Sequence, residues 1–241
     1  MMDLEILLDA VSDVNLALFS LPMVVLLHAL AISVALLVFF SSRDRQKWVN
    51  AATKAWLALS QFLLVVFILS VARLLSQSGV SSVAVLYVAA VPYGALGVLF
   101  LVDIWRPRID FASDSRSVQR CMGLTVALGG VLLYPITQLL AGYRYPRIVV
   151  YGAEIPIVTY VIGLLIMALP RSSTLFKAFL ALISVVGILA GGGGVLVGYW
   201  NDFYLALGGV LGLVILGKSF VDSRQERSST ARGGSGHEYA S

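Results

Sequence analysis

The sequence predicts an all-α integral membrane bundle of seven transmembrane helices, with the N-terminus outside and the C-terminus cytoplasmic. Three observations carry that prediction. Of 241 residues, 59% are hydrophobic and 12% are charged, whereas soluble domains carry about 25% charged residues. The apolar residues collect in long stretches, and crossing a hydrocarbon core of about 30 Å takes roughly 20 of them as a helix. Lysine and arginine gather in alternate connections, and such loops stay cytoplasmic.

The elements follow in order. Residues 1–15 read as a short amphipathic segment on the outer surface. Leu4, Leu7, Leu8 and Val11 recur at helical spacing, with Asp3, Glu5, Asp9 and Asp13 between them. The transmembrane domain, 16–220, contains candidate spans at 16–40, 55–75, 81–105, 121–141, 155–169, 175–198 and 203–219. The fifth is short, and its helix reaches only about 22 Å. It must thin the bilayer, borrow from the preceding loop or be re-entrant. The tail, 221–241, is polar and small-residue-rich and reads as disordered and cytoplasmic.

Direction comes from the loops. Arg43, Arg45, Lys47 and Lys54 flank the first connection, and Arg106, Arg108, Arg116 and Arg120 fill the third. Arg171 and Lys177 mark the fifth, and Lys218, Arg224, Arg227 and Arg232 follow the last span. Only Arg73, Arg144 and Arg147 fall on the opposite side. Trp48, Trp56, Trp105 and Trp200 sit near span ends, where indoles anchor at the membrane interface.

Composition narrows the chemistry. The net charge of +4 arises from residues between apolar stretches, with no aromatic-interleaved basic patch, so nucleic acid is not an expected partner. The lone Cys121 permits no internal disulfide. The acidic start is unlike the basic start of a cleavable signal. No His-Glu-x-x-His, Gly-x-Ser-x-Gly or Cys-x-x-Cys occurs, and Tyr160, Thr159 and Ser184 have no neighbouring base in sequence. No metal site or cofactor is expected. A retinal Schiff base would need a lysine deep in the last span, whereas Lys218 lies at its edge.

Small and polar residues inside the spans organise the bundle. Gly187, Gly191, Gly194 and Gly198 form a smooth face on the sixth span, and Gly208 and Gly212 repeat the four-residue spacing on the seventh. Such faces let membrane helices approach closely. A sharper alternative is that Gly191–Gly194 unwinds beside a cavity and frees carbonyls for an ion. The buried polar candidates are His28, Gln61 and Gln138, with His28 expected to bond a neighbouring helix or to relay protons. Asp103, Arg73 and Lys218 lie near span ends, within reach of the interface.

The densest polar segment is the outer connection from Gly142 to Pro156. Tyr143, Arg144, Tyr145, Arg147, Tyr151 and Glu154 are the candidate ligand-binding residues there. Arginine grips anions through paired N–H groups and stacks on rings. Asp202, in the turn after the sixth span, completes the set as a partner for Arg144 or Arg147. The segment reads either as a plug that closes the outer end or as a pocket for a small or anionic ligand.

The run Leu133-Tyr134-Pro135, then Gly142-Tyr-Arg-Tyr-Pro146, Tyr151-Gly152, Pro156 and Gly163-Leu164-Leu165 resembles the membrane family called domain of unknown function 6064. Asn15-Leu-Ala-Leu-Phe-Ser-Leu-Pro22 and Gly97-Val-Leu-Phe100 are similar to it too, and the likeness spans most of 14–217. Members often carry Gly-His-Arg-Tyr-Pro and a Cys-Pro at the next span. Tyr143 and Ile155 stand at those positions here, which removes two soft-metal ligands. The resemblance implies a fold and a motif but no reaction.

Three function classes follow. The first is a structural or accessory subunit of a complex in the cell membrane, its partners being the lipid bilayer and other membrane subunits or further copies of itself. The second is a small-solute or ion transporter or channel with an outward site at 142–156. The third, with least support, is a membrane enzyme or receptor.

Overall fold

The computed structural model describes residues 4–41, 46–80, 83–111, 118–147, 154–169, 172–196 and 200–233. The chain is all-α, and among the described residues no strand forms beyond one bridge between Ile109 and Ser172. Its helices are α1 (Leu4–Leu18), α2 (Leu21–Phe40), α3 (Gln46–Gln77), α4 (Ala84–Trp105), α5 (Val118–Leu128), α6 (Tyr134–Leu140), α7 (Glu154–Ala168), α8 (Thr174–Leu196) and α9 (Phe203–Gly233). A π-helical turn, Gly129–Leu133, joins α5 to α6, and a 3₁₀ turn, Trp200–Asp202, precedes α9.

Among the described residues six helices, not seven, are long and apolar enough to cross a membrane: Leu21–Phe40, Lys47–Gln77, Ala84–Trp105, Val118–Leu140, Thr174–Leu196 and Trp200–Asp222. The exception is α7, which is only 15 residues long and is buried throughout 156–168. It packs against α5, α9, α8, α3 and α2, with protein on every side. A helix so enclosed need not match the bilayer thickness, because its neighbours satisfy its surroundings.

Helix boundaries shift from the expected ones for local reasons. The expected first span, 16–40, is two helices that part at Phe19–Ser20. Pro22 sits in the first turn of α2, where its missing N–H costs nothing. Gly79 (φ 78°) and Gly142 (φ 90°) end α3 and α6. Each supplies the left-handed residue of a Schellman cap, with Val80 N–H donating to Leu75 O and Tyr143 N–H to Gln138 O. At the other extreme α9 runs to Gly233, into the segment predicted to be disordered. Gln, Glu, Arg and Ala there are good helix formers and extend a helix that is already nucleated. Residues 234–241 lie outside the described set.

The bundle has two ends. At the basic end, Arg120 donates to the carbonyls of Val38 and Phe39, and Gln119 donates to Ile166 O. Ser173 N–H reaches Arg108 O. The opposite end gathers Asn15, Tyr134, residues 143–147 and Asp202. The most extensive pairings are α3 with α4 and α8 with α9, followed by α5 with α7.

Candidate functional site

The tyrosine-rich end is built from the π turn upward. Pro135 has no N–H, and its ring would press on the carbonyl four residues back, that of Val131. The wide turn at 129–133 surrounds that carbonyl, and Tyr134 N–H bonds back to Gly129 O. Tyr134 is thereby turned inward, almost completely buried, and its hydroxyl donates to Asp202 Oδ1 at 2.7 Å. Asp202 is itself 7% exposed. Buried carboxylates need such donors, because an unsatisfied charge away from water is costly. Gly191 and Gly194 make room for the Asp202 turn. A Cβ on Gly191 would stand 2.6 Å from Asp202 O, and one on Gly194 would collide with the carboxylate.

The neighbouring 143–147 segment fastens α1. The Tyr145 hydroxyl donates to the carbonyls of Asn15 and Phe19. Asn15 Nδ2 returns a bond to Pro146 O at 2.8 Å. Arg147 pairs with Asp9 at 2.9 Å in an exposed position. The Tyr145 bonds fall at the C-terminal end of α1, where the Asn15 carbonyl also accepts from Phe19 N–H. Beside them an open cleft of about 310 Å³ lies between α1 and the end of α3, with Asp9, Asp13, Gln77 and Ser78 on its wall.

The model of the family of unknown function DUF6064 matches residues 4–227, nearly the whole chain. The chain belongs to that family. No curated protein and no solved structure matches it significantly.

In this DUF6064 member the predicted site residues divide. Asp202 does not pair with Arg144 or Arg147. Tyr134 takes that place, because the carboxylate lies buried while Arg144 is exposed and Arg147 reaches Asp9. Tyr143 is half-buried beside the α6 cap. Tyr151, Gly198 and the Glu154 side chain lie outside the described residues. Gln138 and Gln61 are buried, and His28 Nδ1 lies 2.8 Å from Val24 O of its own helix. Gly187 faces Leu205, Gly208 faces Thr159 and Val126, and Gly212 faces Ser184. The proposed unwinding at Gly191–Gly194 does not occur, since α8 stays helical to Leu196. Gly192 and Gly193 face open space, while Gly191 and Gly194 are seats for the neighbouring turn.

Several organising residues were missed or misread. Lys54, expected to flank the first basic connection, and Asp103, expected within reach of the interface, are 2% and 1% exposed and form an ion pair at 2.7 Å. Lys54 also donates to Asp103 O, and Asp103 accepts from Arg108 N–H at 2.6 Å. The cause is the length of α3, which starts nine residues before the predicted span and carries Lys54 beneath the 106–111 turn. Arg120 is likewise buried rather than facing water. Trp56 is buried and is no interfacial anchor, whereas Trp48, Trp105 and Trp200 are exposed. Gly123 and Gly163 make the tightest crossing of α5 and α7. A Cβ on Gly123 would lie 2.6 Å from Gly163 O. The signal was an isolated glycine inside each helical pattern.

Proposed function

We propose that this chain is a multi-pass integral membrane protein that serves as a structural or accessory subunit of a membrane complex. The observation that carries the reading is the use of the polar end: Tyr145, Asn15 and Arg147 spend their groups holding α1 to the bundle. That favours the plug over the ligand pocket. The small-residue crossings at Gly123–Gly163 and Gly191–Ala206 give a bundle that holds its shape by packing. The distribution of lysine and arginine supports an N-terminus outside, a C-terminus inside and residence in the cell membrane. Mild extraction followed by native sizing tests the role. A stable assembly with a second chain is expected, and a lone monomer at every detergent concentration would contradict it.

A second reading, a small-solute or ion transporter, has one observation in its favour. Asp202 is a buried carboxylate at the start of a long apolar helix, touched by Tyr134 next to a π turn. Ionisable groups in such places often mark ion pathways. Proton or cation flux in proteoliposomes that disappears in Asp202→Asn would favour it.

A further inference from the structure

We infer that the basic end carries a docking surface for the headgroup of an anionic phospholipid, formed where α3 begins and α4 ends. The inference rests on the membrane reading and not on the subunit role.

The surface is rigid. Asn50 Nδ2 donates to Asp110 Oδ1 and Phe111 N–H donates to Asn50 Oδ1, each at 2.7 Å. The Lys54–Asp103 pair and the Arg108 N–H bond lie beneath them. Residues 106–111 are thus bolted to the first turns of α3. The bolting has an electrostatic consequence. Asp103 is neutralised inside by Lys54, and Asp110 is turned onto Asn50. Lys47, Arg106 and Arg108 are left exposed at the basic end. The described segments that meet here, 46–54 and 103–111, carry four Lys or Arg against two Asp.

Two indoles mark the level of the lipid. Trp48 is 51% exposed and Trp105 is 76% exposed, each adjacent in sequence to one of the cations. Indoles favour the boundary where hydrocarbon meets headgroup. Cations one residue away then stand at the phosphate layer, where arginine and lysine grip phosphate oxygens. Basic pockets between membrane helices bind acidic headgroups in this way. A zwitterionic lipid brings its own cation and gains less. Free phosphate lacks the glycerol and acyl body on which the indoles would rest.

The test compares wild type with the triple variant Lys47→Gln, Arg106→Gln, Arg108→Gln in nanodiscs of mixed phosphatidylglycerol and phosphatidylcholine. Lipids retained after partial stripping are counted by native mass spectrometry. Wild type is expected to enrich phosphatidylglycerol by about tenfold or more, given a several-fold gain per cation near the surface. The triple variant is expected to fall close to the bulk ratio while melting at the wild-type temperature in pure phosphatidylcholine. Equal enrichment in both proteins, or none in wild type, would overturn the inference. So would loss of enrichment on adding inorganic phosphate at constant ionic strength, which would mark a free-anion site. Failure to enter either lipid would refute the membrane reading itself.

Discussion

Tyr134 and Asp202, 68 positions apart, meet through a 2.7 Å hydrogen bond inside the bundle. The π turn aims the tyrosine, and two glycines of α8 admit the carboxylate. Tyr134→Phe removes a donor to a buried acid while keeping the ring. It is expected to lower unfolding free energy by about 1–3 kcal/mol, read as a lower melting temperature in detergent. An unchanged temperature would mean that the hydroxyl contributes nothing there.

The glycines separate into those that touch and those that do not. A Cβ on Gly163 would meet Gly123 O at 2.5 Å, whereas Gly192 and Gly193 have nothing within 4 Å. Gly163→Ala is therefore expected to destabilise by about 1–3 kcal/mol through overpacking. Gly193→Ala is expected to be neutral or to stabilise by about 0.5–1 kcal/mol through helix propensity. Thermal denaturation of the two variants side by side checks the contrast, and equal effects would count against the α5–α7 crossing.

The Lys54–Asp103 pair is buried and also bonded to backbone. Breaking a pair of this kind leaves one charge without its partner and typically costs about 3–5 kcal/mol. Lys54→Met is expected to show that loss. The double variant Lys54→Met, Asp103→Leu is expected to recover part of it, because no buried charge remains. A double variant worse than the sum of its singles would show the bolt to be more than an ion pair.

How much of this was legible in the sequence depended on range. The apolar stretches, the basic connections and the shortness of α7 are local properties, and composition displays them directly. The number of helices able to cross is one lower because α7, at 15 residues, is too short, a local property; its enclosure by neighbouring helices is not local. The partner of Asp202 was misassigned for the same reason. Charge complementarity pointed to Arg144 or Arg147, but Tyr134 lies on a helix whose rotation is set by the π turn. Lys54 and Asp103 were misread because hydropathy places a span end where lysine appears, whereas α3 continues past it. Gly142 was locally readable as a turn, yet the bond from the Tyr145 hydroxyl to Asn15 O, 130 positions apart, required the folded chain.

The exposed Arg147–Asp9 pair is a minor fastening. Solvent screens it, and such pairs are worth about 0–1 kcal/mol. Arg147→Gln is expected to shift the melting temperature little and to lose its remaining effect at high salt. A large, salt-independent loss would mean that Arg147 holds something other than Asp9.

The tyrosine-rich end holds α1 through the bonds of Tyr145 and Asn15. Amide hydrogen exchange across residues 4–18 tests it most directly, comparing wild type with the double variant Asn15→Ala, Tyr145→Phe in the same detergent. Strong protection of α1 is expected in wild type and its loss in the double variant, with α5 and α7 unchanged. Protection of α1 that is indifferent to both substitutions would contradict it.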